Sequence, residues 1–169
     1  MEYFNKLWYL DINTYAGVYP LVDFLMRGFA TVTPYLFIVM LFYLWFSNRK
    51  DLALFAGYAA TFGVVINQII GLFYFHPRPF MEDFGHLLLS HSADSSFPSD
   101  HVSFTLSIAL TLIAFKTTKT LGIIAFILGL LCGVARIYCG VHWPFDILGA
   151  VIVAELASFV VLRYQTHLL

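Results

Sequence analysis

Five long apolar stretches, at roughly 25–46, 52–75, 101–115, 120–139 and 144–164, leave this chain little choice of fold. A helix that crosses a ~30 Å hydrocarbon core needs ~20 mostly apolar residues. Four stretches reach that length easily. The stretch 101–115 is short, and its flanks FPSD and KTTK are expected to extend it into the interface. None alternates apolar and polar residues with period 2, so helices are favoured over barrel strands. With 60% hydrophobic and only 11% charged residues, the chain lacks the polar surface of a soluble domain. The expectation is an all-α integral membrane protein, with five to six transmembrane helices in one bundle over 1–169.

Residues 1–22 read differently. MEYFNKLWYLDINTYAGVYP mixes aromatics with Glu2, Lys6, Asp11 and Asn13, which suits an interfacial segment better than a sixth span. The helical core is then 23–164, with a short tail at 165–169. The start lacks the basic region and apolar run of a cleavable signal peptide. A net charge of −1 argues against a nucleic-acid partner. Cys132 and Cys139 on one helix would lie ~10.5 Å apart along its axis, beyond disulfide reach, so free thiols are expected.

Five spans place Arg49, Lys50, Lys116, Lys119 and Arg163 at one end of the bundle. By the positive-inside tendency that end is cytoplasmic. Lys6, Arg27, Arg78 and Arg136 fall at the other end. The bias is small, and it sharpens if Arg78 and Arg136 are kept there for function. That end also receives the one long connection, 76–100, and loops of such length are commonly functional or disordered.

Three clusters meet at the second end: HPRP at 76–79, PSDH at 98–101 and ARIYCGVHWPFD at 135–146. Their residue types suit a phosphoester. Arg78 and Arg136 offer planar forks that match phosphate oxygens. PSDH opens a helix, where free backbone N–H groups attract anions. His142 and Asp146 are four residues apart, with Pro144 placed to start a helix. A carboxylate there can hold Nδ1–H and leave Nε2 free to attack. His101 supplies a second imidazole, suited to protonating a leaving oxygen. Singly, each feature has a plainer explanation: a snorkelling Arg, a structural His, an ordinary N-cap. Their convergence on one face argues for one site.

The pattern R-P, then P-S-x-H, then R-x5-H-x3-D resembles the type-2 phosphatidic acid phosphatase superfamily. The resemblance covers about residues 52–164, and the PSDH form with HPRPF is similar to its bacterial undecaprenyl-diphosphate phosphatase branch. It implies a membrane lipid phosphatase in which His142 forms a phosphohistidine, Asp146 orients it and His101 is the general acid. Arg78, Arg136, Ser99 and backbone N–H groups would hold the phosphoryl oxygens, with Asp100 beside them. No metal or cofactor enters that scheme. The implied partners are a polyprenyl diphosphate and membrane lipids. The implied location is the plasma or inner membrane, with the site on its extracytoplasmic face. Three positions depart from the family pattern: Gly71 stands where a Lys is common, Asp100 where Gly precedes the His, and Ala135 where Ser precedes the Arg.

Phosphatidic acid and phosphatidylglycerophosphate fit the same chemistry. A lipid-binding or transport protein without activity is the alternative from another class, favoured by Gly71 and opposed by His101, His142 and Asp146. Glu155, inside the last stretch, matches Asn67 and Gln68 in depth, and a buried contact between them is expected. Glu82, Asp83, His86, His91 and Asp94 have no metal-ligand spacing and read as a solvated lid. His76 adjoins Arg78 without an assigned role, and His167 is expected at the surface.

Overall fold

The computed structural model describes residues 2–168, with side-chain surroundings given through Gln165; His167's side chain lies outside the described residues. Six α-helices follow in order: α1 (Glu2–Asn13), α2 (Pro20–Phe46), α3 (Lys50–Phe73), α4 (Asp100–Ile113), α5 (Lys119–Tyr138) and α6 (Pro144–Leu168). The expected tail at 165–169 is therefore mostly the last turn of α6. Helices α2, α3, α5 and α6 are long and apolar enough to cross a membrane. A 12-residue α1 rises only ~18 Å and is too short to span.

Helix α4 departs from expectation. It takes in only Asp100 of FPSD, stops at Ile113 short of KTTK, and stays at 14 residues, ~21 Å long. It can be short because it stands in the middle of the bundle. It packs against α3, α5 and α6 and touches α2, so protein rather than lipid surrounds its ends. Val102, Leu106, Ile108, Ala109 and Leu112 are wholly buried.

Small residues let the outer helices approach it. A Cβ on Gly63 of α3 would meet Ser107 Oγ at 2.9 Å, and one on Gly129 of α5 would meet Leu106 at 2.7 Å. Close backbone approach replaces hydrophobic drive when lipid is the solvent. Ala53, Ala56 and Ala60 of α3 pack with Ile108, Ala109 and Leu112 in one core, and Phe37 and Leu44 of α2 complete it. A second core joins Tyr9 of α1 to Val102, Leu106, Trp143, Ile147 and Ala150.

Helix α1 is polar inside and apolar outside. Asn5, Tyr9 and Asn13 are buried, while Tyr3, Phe4, Leu7 and Trp8 are exposed. Asn13 Nδ2 donates to the carbonyls of His86 and Tyr138, both at 2.8 Å, and its Oδ1 accepts the His86 N–H at 2.7 Å. Asn5 accepts the N–H of Phe145 at 3.0 Å. These bonds tie the long connection and the start of α6 to α1. Cys132 and Cys139 are both free and buried, as expected.

Candidate active site

The three sequence clusters meet at one end of the bundle, where α3 and α5 end and α4 and α6 begin. They surround a cavity of about 390 Å³ lined by Arg78, Asp100, His101, Arg136 and His142, with Asn67, Gln68 and Gly71 on the α3 side. Asp146 and Ser99 stand behind this lining and are wholly buried.

His142 sits in the turn between α5 and α6, and Pro144 starts α6 as the sequence indicates. That turn needs Gly140, whose φ is +81°. A Cβ there would also collide with the His86 carbonyl, so only glycine fits both the left-handed backbone and the close approach. Starting α6 at Pro144 puts Asp146 in its first turn. Asp146 Oδ2 accepts the backbone N–H of Trp143 at 2.8 Å and the Nδ1–H of His142 at 3.3 Å. With the proton on Nδ1, Nε2 carries the lone pair and accepts from Arg78 Nη1 at 3.2 Å. Burial first, then the charges of Arg136 and Arg78, push the His142 imidazole down to about 3, against the hydrogen bond to Asp146. It is therefore neutral and able to attack at ordinary pH.

The two arginines differ in kind. All sides of Arg78 are engaged. Nε and Nη2 reach one oxygen of Asp94 at 2.8 and 2.7 Å. Nη2 also donates to the Ser95 carbonyl at 3.2 Å, and Nη1 to the Val141 carbonyl at 2.7 Å. Arg136 is equally buried, but its Nε and Nη2 have no partner among the described residues. Its one contact, Nη1 to the carbonyl of Ala30 at 3.4 Å, has a local cause. Pro34 lies inside α2 four residues later, and a proline offers no N–H to the carbonyl one turn back. Ser99 Oγ is another buried, unpartnered polar atom. Arg136 and Ser99 thus present donors suited to an anion.

Asp100 lines the cavity, yet both its oxygens are occupied. Asn67 Nδ2 donates to Oδ1 at 2.9 Å and Gln68 Nε2 to Oδ2 at 3.1 Å. Asn67 also donates to Ser103 Oγ at 3.0 Å. The expected contact of Asn67 or Gln68 with Glu155 is therefore wrong. Glu155 is exposed, because its face of α6 turns outward while the α3 amides turn toward α4. Equal depth along two helices does not fix which faces meet.

The long connection is more than a solvated lid. Asp94 grips Arg78, and Asp94, His91 and Ser95 line the cavity. Burial works against the charged Asp94, but hydrogen bonds from Ser92 and Arg78 hold its carboxyl below the usual range. Burial, then the Arg78 charge, lowers the His91 imidazole. Glu82 instead bonds Lys6 of α1 at 2.9 Å. Among the described residues no group of His, Cys, Asp and Glu has the arrangement of metal ligands. An apolar groove of about 230 Å³ adjoins the cavity, lined by Pro34, Ile38, Val64 and Phe104, with Asp100 and His101 at its head.

Asp94, expected in a solvated lid, instead pairs with Arg78, and His76, without an assigned role in the sequence, reaches the site although HPRP carried a signal for it. Residues two apart on an extended segment share a side. From that segment Arg78 reaches His142, and His76 Nδ1 lies 3.0 Å from the second oxygen of Asp146.

Known proteins resemble this chain in sequence and in fold. Residues 52–168 match the PAP2 superfamily. The chain is 42% identical over 118 residues to the undecaprenyl-diphosphatase BcrC of Bacillus subtilis, covering 70% of this chain and 60% of that protein. It thus spans under two thirds of that relative's length. The crystal structure of Aquifex aeolicus LpxE superposes with a TM-score of 0.79 at 28% identity, covering 92% of this chain and 93% of that one. A transmembrane PAP2 type phosphatidylglycerolphosphate phosphatase from Bacillus subtilis, 22% identical, shares the fold with a TM-score of 0.76 over 98% of this chain and 86% of that one. The chain belongs to the PAP2 superfamily.

Proposed function

From membership of that superfamily, we propose that the chain hydrolyses a polyprenyl diphosphate, undecaprenyl diphosphate above all, to the monophosphate and phosphate. The observation that carries this reading is the cavity lined by both a neutral His142 and Arg136, whose Nε and Nη2 have no partner among the described residues. The similarity to the Bacillus subtilis undecaprenyl-diphosphatase supports the choice of lipid.

In the proposed mechanism, Arg136 and Ser99 hold the terminal phosphoryl group, and Arg78 Nη1 turns from His142 Nε2 to join them. His142 Nε2 attacks its phosphorus in line, and the bond to the bridging oxygen breaks. His101 gives a proton to that oxygen, and the polyprenyl monophosphate leaves. The positive imidazole of the phosphohistidine is balanced by Asp146. His101, now a base, takes a proton from water as the water attacks phosphorus. The P–N bond breaks, phosphate departs and the Nε2 lone pair is restored. Each role falls to a side chain of this chain.

The groove of Pro34, Ile38, Val64 and Phe104 opens from the head of the cavity and suits an isoprenoid tail. In this reading α1 lies on the membrane surface with its exposed aromatics in the headgroup layer. The site then faces the extracytoplasmic side, opposite Arg49, Lys50, Lys116 and Lys119.

Purified protein given undecaprenyl diphosphate, phosphatidic acid or phosphatidylglycerophosphate should release phosphate fastest from the first. His142→Ala should release none. An acid-labile, base-stable phosphoprotein should be trapped in the wild type during turnover. Preference for a glycerolipid would reassign the substrate, and no release from any lipid would sink the enzyme reading. Orientation is tested separately, by labelling Ser90→Cys from either side of the membrane.

A further inference from the structure

We propose that His76 is a positioning residue, whose Nδ1–H holds the Oδ1 oxygen of Asp146 so that one carboxylate is clamped between two imidazoles. The inference rests on the reading above, in which His142 is the nucleophile.

The hydrogen bonds to Asp146 divide cleanly. Oδ2 accepts from Trp143 N–H and His142 Nδ1–H. Oδ1 accepts from His76 at 3.0 Å. The Asp146 side chain has no exposed surface, so water does not substitute for His76. Without it, Oδ1 would be a buried acceptor lacking a partner, and the carboxylate would shift, carrying its partner His142 out of line with the phosphorus.

His76 is itself fixed. Its N–H donates to Ser95 Oγ at 3.1 Å, and its carbonyl accepts the Ser96 N–H at 2.8 Å. Its ring stacks on Tyr74, 6.0 Å between centroids and 14° between planes. Ser96 Oγ lies 2.9 Å from the same Nδ1. His76 does not line the cavity, so it acts through Asp146 rather than on substrate. One extended tract thereby grips both ends of the reacting pair: Arg78 at His142 Nε2, and His76 at the far oxygen of Asp146.

Charged and titratable groups reach this pair from every side. Asp146 belongs to α6, Arg136 to α5 and His101 to α4, while Arg78 and His91 come from the long connection. Glu2 and Glu82 act on His76 at longer range. Removing the His76 donor leaves Asp146 more strongly paired with a protonated His142. The neutral, attacking form then requires higher pH.

The test compares His76→Ala, His76→Asn and His76→Gln. An Asn amide can stand where Nδ1–H stands; a Gln amide reaches one bond too far. Kinetics on undecaprenyl diphosphate should show kcat reduced by on the order of 10- to 100-fold in the Ala variant, the scale of a misplaced reacting group, with KM little changed. The acid limb of its kcat profile should move to higher pH. His76→Asn should recover most of kcat and the original limb, and His76→Gln should not. NMR titration of His142, without substrate, should show the same upward displacement in His76→Ala and His76→Gln but not in His76→Asn.

Equal loss in the Asn and Gln variants would overturn the clamp, as would an unmoved His142 titration in the Ala variant. If the Ala variant does not fold, the Asn and Gln pair decides through both readouts. A wild type inactive on all three lipids would remove the functional reading, while the NMR comparison still decides the clamp.

Discussion

Arg78 Nη1 donates to His142 Nε2 across 3.2 Å, so the phosphate-seeking cation and the nucleophilic lone pair point at the same place. The bond also fixes the tautomer, because Nε2 can accept only if the proton is on Nδ1, toward Asp146. Arg78→Lys keeps the charge but cannot span Asp94, Ser95, Val141 and His142 together. We expect kcat/KM to fall by about 100-fold or more, the scale of losing a preorganised donor. Steady-state phosphate release measures it, and a variant within a few-fold of wild type would refute the coupling.

Arg136 separates stability from activity. Its Nε and Nη2 are buried and have no partner among the described residues, a desolvation cost that binding an anion would offset. Arg136→Met should unfold at or above the wild-type midpoint in detergent while losing activity. Inorganic phosphate should raise the wild-type midpoint and leave the variant's unchanged. A variant that melts well below wild type would show that Arg136 is structural.

Much of the site was legible from residue spacing. Arg136, His142 and Asp146 are joined by one turn and one helix start, and Pro144 announces that start. Arg78 and His101 follow from their places in the connection after α3 and at the start of α4. Contacts between helices were not legible in the same way. Asn67 and Gln68 match Glu155 in depth, but depth leaves the rotation of each helix open, and the amides meet Asp100 instead. The central place of α4 was hidden for a related reason. A short apolar run looks like a stunted span until Gly63 and Gly129 are seen to admit it between longer helices.

Asn67 is the hub of that inter-helical contact. Asn67→Ala removes its bonds to Asp100 and Ser103 and leaves a buried hydroxyl and one carboxylate oxygen short of a donor. The loss should be about 1–3 kcal/mol, the usual range for an unsatisfied buried polar group. Chemical or thermal unfolding in detergent measures it. Glu155→Gln, on an exposed face, should leave stability nearly unchanged, and the opposite ranking would contradict the register of α3 and α4.

Acid should destabilise the fold through His142. Its folded imidazole lies at about 3, below the ordinary ~6.5 of an unfolded histidine. The unfolded chain therefore binds the proton first, and stability falls as pH drops from about 6.5 toward 3. His76 has the opposite sign. The hydrogen bond to Asp146, ahead of opposing burial, raises its imidazole, so its contribution is present below about 6.5 and fades as pH rises through the folded value. His142→Gln should flatten the acid side of the melting curve against pH. An unchanged slope would mean that other groups govern acid unfolding.

Pro34 links the outer helix to the anion site. Because it offers no N–H, the carbonyl of Ala30 is left to Arg136 Nη1. Pro34→Ala supplies that N–H, and the carbonyl can return to the helix ladder of α2. Helix α2 should then become more stable, since a proline in a helix interior costs about 3 kcal/mol against alanine. Arg136 meanwhile loses a competitor-free acceptor and its orientation toward the cavity. The expected variant is at least as stable as wild type and weaker in turnover, with the midpoint of unfolding and kcat/KM moving in opposite directions. Loss of both together would place the role of Pro34 in folding alone, and retention of full activity would show that Arg136 keeps its orientation without Ala30.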